Sequence, residues 1–330
     1  MKYGAIEGVN KPISRIVCGT GFVTEETTQE QLDVILDRAL EMNINTIDTG
    51  REYADGHCEK LMGNWFEKRG NRDEVVFISK GGHHNEIRKR VTNFDITADI
   101  YDSLALAKTD YIDLYMLHRD DESIPIGSLV EMLHSHYEAG IIKAYGASNM
   151  TLSRLKEANT YAMQNNLKPF SITSQHFSLG EQVQDPWGGG CVSMTGKTLQ
   201  ESLLWYQREK MPLFAYSSMC FGLFAGQFDK ENYKQKVQEG TLLECIADAY
   251  CCENNFKRLD RVKKLAEEKQ VPFPVISLAY VLNFGDKNGF PTYALVGLNR
   301  PEEAEMNTQA AELVLSEQEL KWLNLEIDSK

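Results

Sequence analysis

The sequence predicts a closed (β/α)8 barrel. Three observations carry that expectation. A short β-branched or aromatic run, then a polar or glycine residue, then a segment of helical periodicity recurs eight times along the chain. No long polar linker interrupts the alternation, so one domain over residues 1–330 is expected. The 330 residues, 42% hydrophobic and 25% charged, supply core enough for a barrel of this size. Each crossover helix must cover the outside of the sheet, which favours closure. The alternative is an open doubly wound sheet. Gly19-Thr20-Gly21-Phe22-Val23-Thr24 half-matches a dinucleotide fingerprint, but threonine stands where the third glycine belongs, and a tight strand-to-helix turn explains the two glycines equally well.

Residues 1–13, with the turn candidate Gly8-Val9-Asn10-Lys11-Pro12, precede the first strand and are expected to form a hairpin on the barrel floor. The eight strand runs are 15–18, 44–47, 75–78, 112–117, 143–147, 170–173, 213–216 and 293–296. Between them, Leu32, Ile35, Leu36, Ala39 and Leu40 share one helical face. The same holds for Ile96, Ile100 and Leu104, for Leu152, Leu155, Ala158 and Ala162, and for Leu199, Leu203 and Tyr206. These stripes are core packing and carry no chemistry. Residues 227–255, rich in Asp, Glu, Tyr and Cys, form a long insertion after the seventh strand, expected to be a partly helical lid. Ser316-Glu317-Gln318-Glu319 is a capping box that opens a last helix with Leu320 and Leu323 on one face.

The charge excludes one class of partner. With 35 Lys plus Arg against 48 Asp plus Glu, the net charge of −13 argues against a nucleic-acid binder. The apolar stretch 211–226 is broken by Pro212, Ser217, Ser218 and Gly222, so no membrane span is expected. The segment after Met1 lacks a basic-then-apolar signal pattern, which points to the cytoplasm. Seven irregularly spaced cysteines, without a C-x-x-C pair, read as reduced thiols. His57 beside Cys58, and the pair His83–His84, lack partners at zinc-site spacing, so no metal site is expected and the histidines read as surface or loop residues.

In a parallel barrel the residues just past each strand converge on one rim, which makes them the candidate site. Here they are Asp48, Lys80, His118, Ser148 with Asn149, Gln175, Tyr216 and Gly297, with Tyr53 in the loop after Asp48. Singly, each has a plain structural explanation: Asp48 and Lys80 as a buried ion pair, His118 as a core histidine, Tyr53 as a loop aromatic. Jointly, an amine, a carboxylate, a phenol and an imidazole make an acid–base site. A phenol of pKa about 10 needs a neighbour to act near neutral pH, and an ammonium held by an aspartate is such a neighbour.

At these residues the chain resembles the aldo-keto reductases. The segments are Ile47-Asp48-Thr49-Gly50-Arg51-Glu52-Tyr53, Phe77-Ile78-Ser79-Lys80, Asp113-Leu114-Tyr115-Met116-Leu117-His118, Gly146-Ala147-Ser148-Asn149 and Ala215-Tyr216-Ser217. The resemblance implies a TIM-type barrel that interconverts small carbonyl and alcohol compounds with NADP or NAD, without a metal. It implies Tyr53 as proton donor, Lys80 as the group that lowers its pKa, Asp48 as the partner of Lys80, and His118 as the donor that orients the substrate oxygen. It further implies that Ser148, Asn149 and Gln175 hold the nicotinamide carboxamide and that Tyr216 stacks on the ring. Ser217, Met219 and Gly222 then wrap the pyrophosphate, while Gly297, Arg300, Glu303 and Asn307 serve the adenosine end.

The chain departs from the family pattern in several places, among them Val296 where proline is usual after the last strand. Ser217-Ser218-Met219-Cys220-Phe221-Gly222 lacks the arginine usual near the pyrophosphate, and Glu303 stands where Gln or Arg is common. The preference between the two cofactors is therefore open. The insertion 227–255, the loop Pro186-Trp187-Gly188-Gly189-Gly190-Cys191 and Asn254-Asn255-Phe256-Lys257-Arg258-Leu259 resemble a bacterial subgroup linked to sugar metabolism, which implies a carbohydrate or polyol substrate. Trp187 is the aromatic platform for it, whereas Trp65 at a helix position reads as core. The rival function is a cofactor-binding regulatory subunit of the same fold. A metal-dependent isomerase would need carboxylates and histidines where this rim has lysine and tyrosine.

Overall fold

The computed structural model describes Met1–Lys330. Its strands are β1 (Tyr3–Gly4), β2 (Ile13–Ser14), β3 (Ile16–Gly19), β4 (Thr46–Asp48), β5 (Val76–Gly81), β6 (Ile112–Leu117), β7 (Ile142–Ser148), β8 (Ile172–Ser174), β9 (Leu213–Ala215) and β10 (Thr292–Gly297). Strands β3 to β10 close into a barrel in the order β10-β3-β4-β5-β6-β7-β8-β9, as the eightfold alternation predicts. The first two strands form the expected antiparallel hairpin, with Tyr3 opposite Ser14. Its turn requires Gly8: φ is +97°, and a Cβ there would lie 2.2 Å from the carbonyl oxygen of Lys143.

The chain divides into two compact units, Met1–Ser174 with Gly297–Ala304, and Gln175–Val296 with Glu305–Lys330. In the first, β5 and β6 are buried along their whole length, as strands covered on both faces must be. The parallel ladder runs further than the apolar runs suggest: Asp48 pairs with Ile78, Lys80 with Met116 and Ser148 with Ser174. Asp48, Lys80, Ser148 and Gly297 therefore lie in the last residues of their strands and not beyond them, because main-chain pairing is indifferent to side-chain polarity. Three helices of this unit start on side-chain caps: Thr28 with Gln31 forms a capping box for Gln29–Glu41, and Thr92 and Thr151 cap Asn93–Leu106 and Leu152–Gln164. Trp65, fully buried in His57–Arg69, donates its indole N–H to Asp37 at 2.8 Å.

In the second unit the insertion after β9 is partly helical, with Tyr233–Gln238 and Glu244–Tyr250 leading into Glu253–Lys269. Phe228, Leu242, Ile246 and Tyr250 of this segment are buried. The capping box at Ser316 and Glu319 is formed, with Leu320 and Leu323 buried behind it. All seven cysteines are free thiols; Cys18, Cys58 and Cys220 are buried. No helix is long and apolar enough to cross a membrane.

Candidate active site

Four chemically active side chains of the first unit meet at the strand ends. Lys80 is buried, and its Nζ donates to Asp48 Oδ1 at 2.7 Å, to the Thr49 carbonyl at 2.6 Å and to Tyr53 Oη at 3.1 Å. An ammonium has three N–H donors, and here each has an acceptor. The phenol oxygen therefore accepts from Lys80, which leaves the Tyr53 O–H free to donate elsewhere. The Lys80 charge also sits 4.7 Å from the centre of the Tyr53 ring. The His118 ring meets Tyr53 edge-on, with centroids 5.7 Å apart.

Local backbone structure explains this convergence. After β4 the chain is pinned to β5 by the amides of Thr49 and Arg51, which donate to the carbonyls of Ile78 and Lys80. Tyr53 then enters a short 3-10 turn, Tyr53–Gly56, in which Ala54 and Asp55 hold φ of 48° and 49° and Gly56 holds 84°. That left-handed run, costly for residues with a Cβ, turns the chain sharply into the helix His57–Arg69. Gly50 borders the group, since a Cβ there would touch Tyr53, His118 and Lys80 at 3.5 to 3.6 Å. His118 is set by its own amide, which donates to the Gly81 carbonyl at 2.8 Å.

The electrostatics follow from burial and from one cation. Burial raises the Tyr53 pKa, with Lys80 pulling it down and Asp48 pushing it up; the net direction is upward. Lys80 therefore lowers the phenol only relative to its burial, and the net depression expected of it is not seen. Burial opposes the Lys80 charge, but Asp48 and Tyr53 outweigh it and hold the ammonium above its usual range. His118 lies well below its ordinary value, through burial first and then the charge of Lys80, so it is neutral. Its Nδ1 is buried without a partner, which places the proton on Nε2, because a bare nitrogen is cheaper to bury than an unsatisfied N–H.

A buried carboxyl supports the group from behind. Glu59 accepts from Ser79 Oγ at 2.6 Å and Thr49 Oγ1 at 3.3 Å, and Ser79 also meets Ser103 Oγ at 3.1 Å. Thr49 and Ser79 flank the lysine contacts in sequence, so Glu59 stiffens both sides of Lys80. The sequence reading missed it because a lone glutamate in a helix looks like surface. His83, read as a surface or loop residue, does lie in the loop after β5, but its ring is 4.7 Å from that of His118.

The remaining expected residues fall in both units. In the first, Ser148 Oγ accepts from Asn149 Nδ2 at 3.1 Å, leaving its own hydroxyl proton available to a carboxamide oxygen. Asn149, at φ 54°, donates its backbone N–H to the Ser174 carbonyl at 3.1 Å. Glu303 accepts from the Asn299 amide at 2.9 Å and from Arg300 at 3.1 and 3.3 Å. Gly297 closes β10.

In the second unit, Gln175 is buried and its carbonyl accepts from the Tyr216 amide at 3.2 Å. Ser217 at φ 52° and Gly222 at φ 108° bend the chain around the turn Cys220–Ala225, and the Gly222 amide donates to the Met219 carbonyl. Asn307 is buried with its Oδ1 unpartnered, an acceptor suited to an amine donor. Trp187, 48% exposed, packs edge-on to Phe221 at 5.6 Å. Within the first unit, the buried hydroxyl of Ser148 and amide of Asn149 thus offer donors and acceptors of the kind a carboxamide takes. No group of three or more His, Cys, Asp or Glu side chains is placed to hold a metal.

Comparison with known proteins adds family relationships. The family model described as "Aldo/keto reductase family" matches residues 15–325. Aldo-keto reductase YhdN of Bacillus subtilis is 25% identical, covering 98% of this chain and 93% of its own. An aryl-alcohol dehydrogenase [NADP(+)] of Phanerodontia chrysosporium is 24% identical over 93% of this chain and 77% of its own. The crystal structure of an aldo/keto reductase from Klebsiella pneumoniae, in complex with NADP and acetate, superposes with a TM-score of 0.68 at 20% identity, covering 98% and 96% of the two chains.

Proposed function

The chain belongs to the aldo/keto reductase family, and from that premise we propose that it interconverts a carbonyl and an alcohol on a sugar, polyol or related small compound, with Tyr53 as the proton donor. It is a nicotinamide-dinucleotide-dependent oxidoreductase, as its family membership establishes. The observation that carries the residue assignment is the saturated ammonium of Lys80, which forces the Tyr53 hydroxyl to donate outward.

The bound nicotinamide supplies the hydride. The protein must supply a proton and hold the reacting oxygen. Neutral His118 donates from Nε2 to the carbonyl oxygen and polarises it. As negative charge grows on that oxygen, the Tyr53 O–H transfers its proton, and Lys80, already donating to the phenol oxygen, stabilises the phenolate left behind. Asp48 keeps Lys80 charged through the cycle. In the oxidative direction the same phenolate takes the proton from the alcohol. Ser148, Asn149 and Gln175 are proposed to hold the carboxamide, Tyr216 to stack on the ring, and Ser217, Met219 and Gly222 to wrap the pyrophosphate. Gly297, Arg300, Glu303 and Asn307 are proposed for the adenosine end, Trp187 for the substrate, and the 227–255 insertion for a lid.

The test is Tyr53→Phe, which keeps the ring and removes only the donor. Turnover is expected to fall by about 10²–10⁴-fold or more while reduced cofactor still binds by fluorescence titration. Near-normal turnover in a chemistry-limited assay would show that another group delivers the proton. Loss of cofactor binding would show that the variant disturbs more than the acid.

A further inference from the structure

We propose that His83 determines substrate specificity by accepting a hydrogen bond from a hydroxyl on the carbon next to the reacting carbonyl, so that the enzyme selects α-hydroxycarbonyl compounds. The inference rests on the assignment of Tyr53 and His118 above and names the substrate class of that same site.

Position comes first. His83 follows β5 by two residues, and its ring packs edge-on against His118 with centroids 4.7 Å apart and planes at 65°. His118 meets Tyr53 at 5.7 Å on its own account. His118 thus has Tyr53 and His83 both at its ring, and in this proposal the carbon adjoining a carbonyl held by Tyr53 and His118 lies beside the second imidazole. Two bonded carbons put their oxygens within the span of two neighbouring rings, which is the spacing the pair offers.

The protonation of His83 follows from one bond. Its Nδ1 lies 2.7 Å from the His84 carbonyl oxygen. A carbonyl only accepts, so Nδ1 carries the proton and Nε2 holds a lone pair. That lone pair has no partner in the protein, and Nε2 is not among the buried unsatisfied atoms, so it remains open to a ligand. Burial first, then the charge of Arg119 and more weakly that of Arg90, lower the His83 pKa and favour the neutral ring, against the opposing bond to the His84 carbonyl and the charge of Asp99.

The two imidazoles then differ in role. His118 donates from Nε2 and recognises the carbonyl. His83 accepts at Nε2 and recognises an O–H. A donor and an acceptor side by side match a carbonyl flanked by a hydroxyl and mismatch a bare alkyl aldehyde, which would leave the His83 lone pair dry and unpaired.

The experiment compares glycolaldehyde with acetaldehyde, which differ by that hydroxyl alone, and uses 4-nitrobenzaldehyde as a general carbonyl probe. In the wild type, kcat/KM is expected to favour glycolaldehyde over acetaldehyde by about tenfold or more. In His83→Phe, which keeps an aromatic ring and loses the acceptor, that ratio is expected to fall by about tenfold. His83→Asn, which restores an acceptor oxygen on a shorter arm, should recover part of it. A ratio unchanged in His83→Phe overturns the proposal, as does a wild type that reduces the nitrobenzaldehyde but shows no preference for glycolaldehyde. A wild type that reduces none of the three overturns the catalytic reading itself, and the proposal falls with it.

Discussion

Lys80 is where a single residue does most to define the chemistry. Its three donors are spent on Asp48, Thr49 and Tyr53, so each acceptor is oriented by the same cation. Burial raises the Tyr53 pKa and Lys80 opposes that rise. Removing the cation in Lys80→Met leaves burial and any remaining Asp48 charge to push the phenol further up. Carbonyl reduction needs the protonated phenol, so its rate falls only where pH passes the phenol pKa. The descending limb is therefore expected at higher pH in Lys80→Met than in the wild type. Its plateau should also be lower, because a weaker acid transfers its proton more slowly. A pH profile of kcat/KM for reduction checks both, and a limb that stays put or moves down would remove Lys80 from control of Tyr53. Asp48, Tyr53, Lys80 and His118 were legible in the sequence because each follows or ends a β-branched run. Glu59 was not, since its burial depends on hydroxyls at Thr49, Ser79 and Ser103 that lie far from it in the chain.

Whole elements were legible where the hydrophobic period was clean. The runs 112–117 and 213–216 match β6 and β9 to within a residue, because buried apolar side chains dominate both faces there, with Asp113 of β6 the one charged exception, paired with Lys11 and Arg72. The helix Phe273–Asn288 has no such stripe: Pro274 to Asn283 are all buried, so no polar face marks its period. The loop after β8 holds another element-scale device, His176. It is fully buried, with Nδ1 2.7 Å from Ser193 Oγ and Nε2 3.4 Å from Ser178 Oγ, and burial lowers its pKa to about 3. An unfolded histidine titrates near 6.5, so the unfolded chain binds the proton first as pH falls. This residue's contribution is complete above about pH 6.5 and is lost progressively down to about pH 3, at no more than about 1.4 kcal/mol per pH unit. His176→Gln, which keeps a polar partner for the serines and does not titrate, is expected to lose up to about 2 kcal/mol less stability than the wild type between pH 7 and pH 5. Urea denaturation at the two pH values measures the difference. Equal losses would mean that His176 takes up its proton in the folded state without penalty.

Over the whole chain the leading electrostatic quantity is the net charge of −13. An anionic cofactor approaches against that mean field, and a 2′-phosphate adds roughly two more negative charges to the opposition. Local residues do little to offset it. Arg300 is 75% exposed on its side chain, yet it is bound to Glu303 at 3.1 Å, and the other Glu303 oxygen accepts from the Asn299 amide at 2.9 Å. The carboxylate thus folds back onto its own turn and cancels the cation nearest the proposed adenosine end. Replacing Glu303 with Gln keeps an oxygen for the Asn299 amide while releasing Arg300. The ratio of kcat/KM for NADP(H) over NAD(H) is expected to rise about three- to tenfold in Glu303→Gln at low salt, the worth of one exposed charge-assisted hydrogen bond. Glu303→Arg should raise it further by adding a second cation. Salt then separates long-range from local effects, since the Debye length shortens to about 8 Å near 0.15 M. In the wild type, added salt should raise the ratio by screening the chain's net charge. In the variants it should erode the gain by screening the freed guanidinium. A ratio unchanged or lowered in both variants at low salt would mean that Glu303 does not face the adenosine ribose, and the assignment of Arg300, Glu303 and Asn307 to the cofactor would have to be redrawn.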